Sequence, residues 1–562
     1  MNNKSSSVFL LVRVPEIEYG IKTGDVRTSA RSAIVIPLGF ASLASTIREK
    51  TDYKVKAVDL YAELFDKLED LRNKEESETL RLITESLFEY IGMHKPSVIG
   101  FSALYIFQHK LVKEICMAVR GRYPDIRIYV GGYPTISPEM IFNDMDGCCD
   151  VIFIGEAENT VVKVLEAENS GASLGQINGI AFKDDKGVHV VHTLDLVQDL
   201  NSFPLPAYDM LPLEKYTSII GRREFPIMTS RSCPFDCSFC SSFLYSGRKM
   251  RFRSAASLME EIRILKDRFG AEFLWIRDDN FNVNKEHAKG FLRSLISNNL
   301  LMPWCDSSSF NANSIDEELL DLCKETLCKE IIIAVESGSQ RVLKEIMKKR
   351  VDLDHVKKMV AHTRKLKLPV TIYFVVGNPG ETKEEIHETI AYAGELKADH
   401  YVFSIATPFP GTRYHKVAIE KGYLSDNPDY ILTLKYMGSV MDTENFTAEW
   451  LKDTQYDANI RLNFLENRKV LSSDKELMLE GLARYSATYL QYNFHAVARL
   501  LEGYLNMRVG NVEKGGRIFD NVENMLKNKT ISDSYSKYFL WDTPATNAYN
   551  KWLAEKKGRG GK

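Results

Sequence analysis

Three cysteines lie close together in the segment Arg231-Ser232-Cys233-Pro234-Phe235-Asp236-Cys237-Ser238-Phe239-Cys240. Thiolates are the usual protein ligands of iron–sulfur clusters, and three cysteines at this spacing can bind one face of a single cluster. A structural zinc site would need a fourth Cys or His nearby, and neither follows within the next forty residues. The spacing of Cys233, Cys237 and Cys240 therefore predicts a 4Fe–4S cluster whose fourth iron is open to a substrate or cofactor.

The composition is that of an ordinary globular protein. The chain has 562 residues, of which 27% are charged, and its formal net charge is -3. There is no overall basic excess that would favour nucleic acid, and no apolar stretch approaches the roughly 18 residues of a membrane span. The six other cysteines are scattered, which is typical of reduced thiols in a cytosolic protein. We therefore expect a cytoplasmic protein that has no transmembrane segment and does not bind nucleic acid.

Strand and helix patterns alternate through residues 1–175. Alternation of this kind predicts a parallel sheet covered by helices on both faces, as in Rossmann-like and flavodoxin-like domains. The predicted strands are Val8–Val14, Lys54–Asp59, Ser97–Ser102, Ile126–Val130 and Val151–Ile154. The sequence therefore predicts an α/β fold whose N-terminal part is a Rossmann-like (flavodoxin-like) parallel sheet.

The pattern changes after residue 175. Residues 176–215 are expected to hold a β-hairpin with Gly187 at its turn and then the proline-containing linker Phe203-Pro204-Leu205-Pro206. Six further strands alternate with helices over residues 216–425, two strands short of a closed eightfold barrel. They are Pro226–Thr229, Phe273–Arg277, Trp304–Ser308, Ile331–Val335, Val370–Val376 and Tyr401–Ile405. We expect a partial (β/α)6 barrel here, and an α-helical C-terminal region with a weakly ordered tail over residues 426–562.

The cysteine loop resembles the signature of the radical S-adenosylmethionine (SAM) enzymes. The resemblance rests on the Cys-x3-Cys-x2-Cys spacing, on the aromatic Phe239 before the last cysteine, and on the position of the loop after the first barrel strand. It implies that the open iron is chelated by the amino and carboxylate groups of SAM. In that family, one electron from the cluster cleaves SAM to a 5′-deoxyadenosyl radical, which abstracts hydrogen from an unactivated carbon. The resemblance also implies a flavodoxin- or ferredoxin-type electron donor.

The same resemblance implies a set of SAM-binding residues near the ends of barrel strands. Phe239 would pack near the adenine, and Arg253 could pair with the SAM carboxylate. Asp278 and Asp279 follow the second strand, where the family usually has a Gly-Gly-Glu segment that orients the SAM amine; Asp-Asp-x-Phe is familiar among cobalamin-dependent members. Glu336 and Ser337 follow the fourth strand, and Glu336 resembles the carboxylate that binds the ribose hydroxyls.

The domain over residues 1–175 resembles the cobalamin-binding domain that precedes many radical SAM barrels. Small residues after its strands would let the backbone approach a bulky ligand in the crevice at the strand ends. The residues that the resemblance assigns to cobalamin are Pro37, Gly39, Ser102, Ala103, Leu104, Tyr105, Gly131, Gly132, Tyr133, Gly155 and Glu156. The expected cofactors are therefore a 4Fe–4S cluster, SAM and cobalamin.

One branch of this family ligates cobalt through a histidine in an Asp-x-His-x-x-Gly motif after the first strand. This sequence has no such motif, and its first histidine, His94, falls at the end of a predicted helix. We therefore expect cobalamin to bind without a histidine ligand, with the lower face of the corrin against the loop around Leu104 and Tyr105. A cobalt with few axial ligands favours transfer of a methyl group as a radical.

Pairing a methyl carrier with a radical generator implies methylation of an unactivated sp3 carbon. The substrate would be a small-molecule or lipid metabolite, and each turnover would consume two SAM molecules. The alternative is a cobalamin-dependent radical cyclase, rearrangement or oxidation enzyme without methyl transfer. A methylthiotransferase and a non-catalytic cobalamin sensor are further alternatives, although a sensor would not need the cysteine trio.

Overall fold

The computed structural model describes residues 7–17, 34–71, 76–424 and 441–559. The chain divides into two compact units. The first contains Met1–Lys329, Met347–Lys349 and Thr407–Met441, and the second contains Glu330–Ile346, Arg350–Ala406 and Asp442–Lys562. Among the described residues, no helix is both long enough and apolar enough to cross a bilayer.

The first unit opens with a seven-stranded sheet. Its strands are β1 (Val8–Arg13), β2 (Lys54–Asp59), β3 (Val98–Ala103), β4 (Arg127–Gly132), β5 (Val151–Phe153), β6 (Ile180–Asp184) and β7 (Gly187–Val191). The spatial order is β2-β1-β3-β4-β5-β6-β7, and the first five strands pair in parallel. The order 2-1-3-4-5 is that of the flavodoxin-like folds, so the predicted Rossmann-like sheet is confirmed.

The hairpin β6–β7 extends this sheet instead of standing apart from it. β6 pairs antiparallel with β5, with Ile152 opposite Ala181, and β7 pairs antiparallel with β6. Ile180 and Ala181 are fully buried. The sequence predicts the hairpin correctly but does not reveal that it covers an otherwise open sheet edge.

Six helices cover the sheet. They are α1 (Leu38–Lys50), α2 (Leu60–Leu71), α3 (Glu76–His94), α4 (His109–Arg122), α5 (Pro138–Asp144) and α6 (Glu158–Ser170). α1, α4 and α6 follow β1, β3 and β5, so each helix begins near the carboxyl end of a strand. This arrangement gathers several loops at one edge of the sheet, where α/β folds bind ligands.

The first unit then continues into the first half of a second βα series. Its elements are α7 (Leu213–Ile220), β8 (Glu224–Ile227), β9 (Ser230–Arg231), α8 (Phe243–Ser246), β10 (Arg251–Phe252), α9 (Ala255–Phe269), β11 (Phe273–Ile276), α10 (Lys285–Ser297), β12 (Trp304–Asp306), β13 (Phe310–Asn311) and α11 (Glu317–Glu325). β8, β11 and β12 pair in parallel, and β9 pairs antiparallel with β10. α9 begins at the cap Ser254, whose side chain accepts a hydrogen bond from Ser257 N.

The second unit contains the other three strands of the series. They are β14 (Ile331–Glu336), β15 (Val370–Val376) and β16 (His400–Ile405), which pair in parallel in that order. The helices between them are α12 (Leu353–Lys365) and α13 (Lys383–Leu396). All six predicted barrel strands are therefore present. α14 (Arg413–Glu420) follows β16 in the chain but belongs to the first unit.

The rest of the second unit is helical, as predicted. Its helices are α15 (Ala448–Ile460), α16 (Arg468–Leu471), α17 (Lys475–Gln491), α18 (Ala496–Arg508), α19 (Val512–Met525), α20 (Lys529–Tyr535) and α21 (Pro544–Arg559). The end of the chain, expected to be a weakly ordered tail, forms α21 up to Arg559. Tyr538 and Tyr549 are buried in the helical core together with Phe519. Aromatic burial orders this segment despite its weak helical periodicity.

Candidate functional site

The three clustered cysteines follow β9 and are half-buried. Cys233 Sγ accepts a hydrogen bond from Asn280 Nδ2 at 3.7 Å. Cys240 Sγ donates to Ser242 Oγ at 3.2 Å and accepts from Ser242 N at 3.5 Å. Burial raises the pKa of the Cys233 thiol. Hydrogen bonds to sulfur and partial solvent access are among the features that tune an iron–sulfur centre.

The residue before the first cysteine has a strained backbone. Ser232 has φ of 80° and its side chain is fully buried, where Oγ donates to the carbonyl oxygen of Ser246 at 2.5 Å. Ser309, shortly after β12, has φ of 90°, and Glu336, at the end of β14, has φ of 75°. Left-handed non-glycine residues that are not helix caps concentrate at functional sites. Each lies at or just beyond the carboxyl end of a strand, where cofactor-binding loops are expected.

Two aspartates after β11 hold the cluster loop to the sheet. Asp278 accepts hydrogen bonds from Thr229 N at 2.6 Å, Thr229 Oγ1 at 2.5 Å and Ser230 Oγ at 2.7 Å. Burial raises the pKa of Asp278 to about 6. Asp279 accepts from Ser232 N at 2.9 Å, and burial also raises its pKa. These contacts position the loop, while SAM binding by either aspartate stays a prediction.

A buried ionic network joins the loop after β5 to the strands that flank the cluster loop. Glu156 forms a two-pronged ion pair with Arg251, with distances of 2.6 and 2.9 Å, and a third contact of 3.1 Å with Arg231. Arg231 Nη2 also donates to Glu158 Oε1 at 2.7 Å. Burial raises the pKa of Glu158, but the Arg231 charge more than offsets this and leaves the pKa lowered. We call Glu156, Glu158, Arg231 and Arg251 the Glu156 network.

Two glycines of the predicted cobalamin set allow close approaches within the first unit. Gly132 has φ of 102°, and a Cβ atom there would lie 2.0 Å from Ala103 O. Gly155 has φ of 81°, and its Cβ would lie 3.0 Å from Tyr245 O. Gly132 therefore packs against the end of β3, whereas Gly155 packs against α8, the short helix that follows the cysteines. Only glycine satisfies both requirements at these positions.

The loop after β3 exposes two apolar side chains. Leu104 is 57% exposed and Tyr105 is 42% exposed, and the Tyr105 ring stacks on Phe107 with centroids 5.1 Å apart. Gln108 fixes this loop because its Oε1 accepts from Leu104 N and Tyr105 N, both at 2.9 Å. Gln108 Nε2 donates to the carbonyl oxygens of Val14 and Pro15. Leu104 and Tyr105 therefore form a small apolar surface at the end of β3, and the buried side chain of Gln108 holds that surface in place.

The histidine that follows this loop has both ring nitrogens engaged. His109 Nδ1 lies 2.8 Å from Tyr133 Oη, and Nε2 lies 2.7 Å from Asp144 Oδ2. Burial lowers the pKa of His109 despite its bond to Asp144. Tyr133, a predicted cobalamin residue, is itself buried. His109 would have to break one of these contacts to ligate a metal.

The other predicted cobalamin residues lie at strand or helix ends. Pro37 caps α1, which contains Gly39. A Cβ atom added at Gly39 or at Gly131 would meet no other atom closer than 3.7 Å, so neither position demands glycine on steric grounds. Ser102 and Ala103 end β3. Their roles toward cobalamin stay predictions.

The predicted SAM residues have distinct surroundings. The Phe239 ring packs against Tyr414, with centroids 6.0 Å apart. Arg253 pairs with Glu261 and borders a cavity of about 230 Å3. Arg253 Nε is buried without a partner among the described residues.

Glu336 and Ser337 lie in the second unit. Both are buried, and Ser337 Oγ lies 3.0 Å from Thr389 Oγ1. SAM binding by Phe239, Arg253, Glu336 and Ser337 stays a prediction.

Three notable residues at the strand ends escaped the sequence analysis. Asp306 ends β12, and its Oδ2 is buried without a hydrogen-bond partner. Arg277 follows β11 directly, and Asn280, whose Nδ2 contacts Cys233, has its Oδ1 buried and unpartnered. All three lie at or shortly after the carboxyl end of a predicted barrel strand, and that position could have marked them as candidate functional residues.

The cysteine trio fits a cluster better than a single ion. No three His, Cys, Asp or Glu side chains of the described residues surround a point that one metal ion could occupy. A cubane binds each thiolate at a different iron, so it does not require three sulfurs around one point. The unpartnered Asn280 Oδ1 beside Cys233 further marks a place for a polar ligand. The residues present therefore fit a 4Fe–4S cluster.

The fold and this site together define a radical SAM enzyme. Residues 227–393 match the Radical SAM superfamily, and residues 24–165 match the B12 binding domain. The chain therefore belongs to the family of radical SAM enzymes that carry an N-terminal B12-binding domain, and its cofactors are a 4Fe–4S cluster, SAM and cobalamin.

Named relatives agree with this assignment. The chain is 30% identical over 444 residues to the uncharacterized methyltransferase PH0819 of Pyrococcus horikoshii, covering 78% of this chain and 89% of that protein. It is 27% identical over 436 residues to cytidylyl-2-hydroxyethylphosphonate methyltransferase of Streptomyces wedmorensis, covering 71% and 81%. Among solved structures, the radical SAM methyltransferase TsrM of Kitasatospora setae, with cobalamin and a [4Fe-4S] cluster bound, has a TM-score of 0.59 at 18% identity. The match covers 75% of this chain and 76% of TsrM, and it supports the fold.

Proposed function

We propose that this enzyme methylates an unactivated sp3 carbon of a small-molecule or lipid metabolite. The observation that carries the proposal is the Glu156 network, because it connects the loop after β5 of the B12-binding domain to the strands that flank the cluster loop. A reaction that uses both cofactors on one substrate carbon needs the two sites held in a fixed relation. The names of the two methyltransferase relatives support the same reaction.

We propose that Cys233, Cys237 and Cys240 hold the cluster, with SAM placed by Phe239, Arg253, Asp279 and Glu336 and with further contacts from Asp278 and Ser337. When bound, the cluster and SAM supply hydrogen abstraction, and cobalamin supplies the methyl group. Asp278 and Asp279 keep the cluster loop against β8 and β9 through their hydrogen bonds to Thr229, Ser230 and Ser232. The strained Ser232 lets the chain turn at once from β9 into the first cysteine.

We propose that cobalamin lies on the loop after β3. Leu104 and Tyr105 offer an apolar surface of the kind that a corrin face would cover, and Gln108 keeps that surface in place. His109 is bonded to Tyr133 and Asp144, so this segment would offer no free histidine to cobalt. Binding of cobalamin without a histidine ligand, which the missing motif predicts, stays part of this proposal. In this proposal the close backbone approaches at Gly132 and Gly155 set the conformation of the surrounding loops. The ion pairs of Glu156 hold those loops in place.

The electron donor and the compartment also belong to the proposal. A flavodoxin- or ferredoxin-type protein would reduce the cluster. None of the nine cysteines, all in the described part of the chain, forms a disulfide, which fits a reducing compartment such as the cytoplasm.

The product ratio tests the reaction type. The reconstituted holoenzyme, a chemical reductant and the true substrate should yield S-adenosylhomocysteine and 5′-deoxyadenosine in near equal amounts, because one SAM donates the methyl group and another generates the radical. Quantification by liquid chromatography with isotopically labelled SAM gives the ratio directly. Deoxyadenosine without matching S-adenosylhomocysteine would contradict methyl transfer and favour a cyclase, rearrangement or oxidation. Such a result would leave the fold and both cofactors unchanged.

A further inference from the structure

Arg277 is an arginine without a charged partner at the carboxyl end of β11. Its backbone N–H donates to Ile227 O at 2.8 Å, so the residue is fixed to the sheet. Its half-buried guanidinium makes no hydrogen bond or ion pair with any described residue, and its aromatic contact is with Trp275, whose ring centroid lies 5.5 Å from Cζ. Burial lowers the pKa of Arg277. Even a half-buried cation loses part of its hydration, and without a counter-ion nothing compensates that cost, so its retention requires a reason.

Two of the acidic neighbours of Arg277 are committed to other groups. Glu16 is close enough to act on the Arg277 charge, but its carboxylate accepts from Arg13 at 2.6 Å. Glu224 also acts on Arg277, but it accepts from Trp275 Nε1 at 2.6 Å. Neither carboxylate forms an ion pair with Arg277, so the positive charge remains available.

The third acidic neighbour, Asp306, makes no ion pair with Arg277 either. Asp306 is fully buried at the end of β12, where Oδ1 accepts from Ser308 N at 3.0 Å and Oδ2 has no partner. Burial raises the pKa of Asp306 to about 7, so a large fraction of this group carries a proton at neutral pH. A protonated Asp306 can donate a hydrogen bond to an oxyanion, whereas a carboxylate would repel one.

The position of Arg277 relates it to both cofactor sites of the first unit. Arg277 lies two residues before Asp279 in the chain, and Asp279 accepts a hydrogen bond from the backbone N–H of Ser232, the residue before Cys233. Tyr105, in the loop proposed to meet the corrin, is close enough to Arg277 to raise the pKa of Arg277, although burial has the larger effect and lowers it. A group bound at Arg277 would therefore lie near both reactive centres.

We infer that the substrate carries an anionic group, a carboxylate, phosphate or phosphonate, which binds to Arg277 with help from Asp306. This inference deepens the proposed function, since it assumes that the substrate lies between the two cofactor sites. The planar guanidinium can bind two oxygens of such a group at once. Arg277 would thus determine specificity by anchoring the substrate, with no part in the bond-making steps.

Nuclear relaxation by cobalt(II) tests the inference without turnover. The holoenzyme in its cob(II)alamin form is titrated with inorganic phosphate, ethylphosphonate or 13C-labelled acetate, and the 31P or 13C relaxation rate is measured. Binding near the paramagnetic cobalt raises that rate, so we expect a saturable increase at millimolar concentration with at least one probe. The phosphorus and carbon probes separate a phosphoryl anchor from a carboxylate anchor.

Substitutions test whether the Arg277 side chain causes the increase in relaxation rate. Arg277→Gln should weaken probe binding about tenfold or more, because a charge-assisted hydrogen-bond pair is lost. Arg277→Lys should retain part of it, and Arg268→Gln, which removes an exposed arginine of α9, should match the original protein. No relaxation increase in the unaltered holoenzyme, or full retention in Arg277→Gln, would overturn the inference.

Binding of SAM must be measured on the same variants. We expect Arg277→Gln to bind SAM normally, as seen from the SAM-induced change in the spectrum of the reduced cluster. Loss of that change would assign Arg277 to the SAM carboxylate and overturn the inference. The ratio of S-adenosylhomocysteine to 5′-deoxyadenosine is measured independently of anion binding and of SAM binding. The proposal of methyl transfer can therefore be contradicted while anion binding is confirmed, and anion binding can be contradicted while methyl transfer is confirmed.

Discussion

The cluster loop and the loop after β3 are held in different ways. Around the cysteines, buried carboxylates and arginines make short, directional contacts, as between Glu156 and Arg251. The loop after β3 exposes Leu104 and Tyr105 and depends on the single buried amide of Gln108. Covalent ligation of a cluster requires accurately placed sulfurs, whereas a corrin face needs apolar area. The two loops thus differ in the way that the proposed cluster and cobalamin sites would require, and mutations in them should have different effects on the two cofactors.

The largest expected effect is loss of the cluster. Changing Cys233, Cys237 and Cys240 together to Ala should abolish the broad visible absorption of the anaerobically reconstituted protein and all 5′-deoxyadenosine formation, because no other thiolates replace them. Cobalamin retention after gel filtration should persist. Cys323→Ala, which alters a buried cysteine of α11, is the control and should keep the absorption. A full iron content in the triple variant would show that other residues bind the cluster.

The second prediction concerns the Glu156 network. Glu156→Gln should lower the free energy of unfolding by about 3 kcal/mol, because it leaves the buried Arg251 without its counter-ion. It should also reduce both cluster content and cobalamin retention, since the network joins the two loops. Urea unfolding under argon, with iron and cobalamin assays, measures these effects.

Glu85→Gln is the matched control for that change. It breaks the exposed Arg81–Glu85 pair of α3, for which we expect less than about 1 kcal/mol. If the two variants proved equally stable, the network would have no special role in holding the loops together.

The network also illustrates which features of the site the sequence could predict. The cysteine ligands were predictable because they lie within one short loop and their spacing is local. The family resemblance assigned Glu156 to cobalamin, while its observed partner Arg251 is 95 positions away in the chain. Pairings over that distance depend on how elements pack, which one sequence does not reveal. For the same reason, the sequence did not predict that β6 pairs with β5 or that Arg277 makes no ion pair with a described residue.

The fold was more predictable than the site. Buried parallel strands such as β1 and β14 are continuous apolar runs, so all five strands of the N-terminal domain and all six barrel strands could be predicted. The end of the chain was not, because α21 has little amphipathic pattern and is ordered by aromatic residues that contact distant helices. Hydrophobic periodicity reveals a helix that buries one continuous face. It does not reveal a helix such as α21, in which a few large side chains provide the burial.

The third prediction tests the loop after β3. Gly132→Ala should lower the free energy of unfolding by about 2 kcal/mol, because the new Cβ meets Ala103 O and the backbone has φ of 102°. The displaced β3 end should reduce cobalamin retention more than cluster content, unlike Glu156→Gln. Gly92→Ala, in α3 with open space around it, should be neutral or slightly stabilising. Equal loss of both cofactors would remove the distinction between the two loops.

The smallest expected effect on cofactor binding comes with the last prediction, a pH dependence of stability arising from Asp306. Burial raises the pKa of Asp306 in the folded protein from its ordinary value of 3.8 to about 7, so the folded state binds this proton more tightly than the unfolded state. Stability from this group is therefore gained as pH falls below 7 and lost as pH rises through 7, with a slope reaching about 1.4 kcal/mol per pH unit. Asp306→Asn cannot ionise and should flatten the curve of urea midpoint against pH between about pH 4 and 7, the interval between the ordinary pKa and the raised pKa. The slope should not vanish, because burial also raises the pKa of Asp278 to about 6 and that of Glu381 to about 7.

Asp185→Asn, in the exposed turn of the hairpin, should leave the curve unchanged. An Asp306→Asn curve parallel to that of the original protein would mean that Asp306 is already ionised, and the carboxyl ends of the barrel strands would then be more polar than their burial implies.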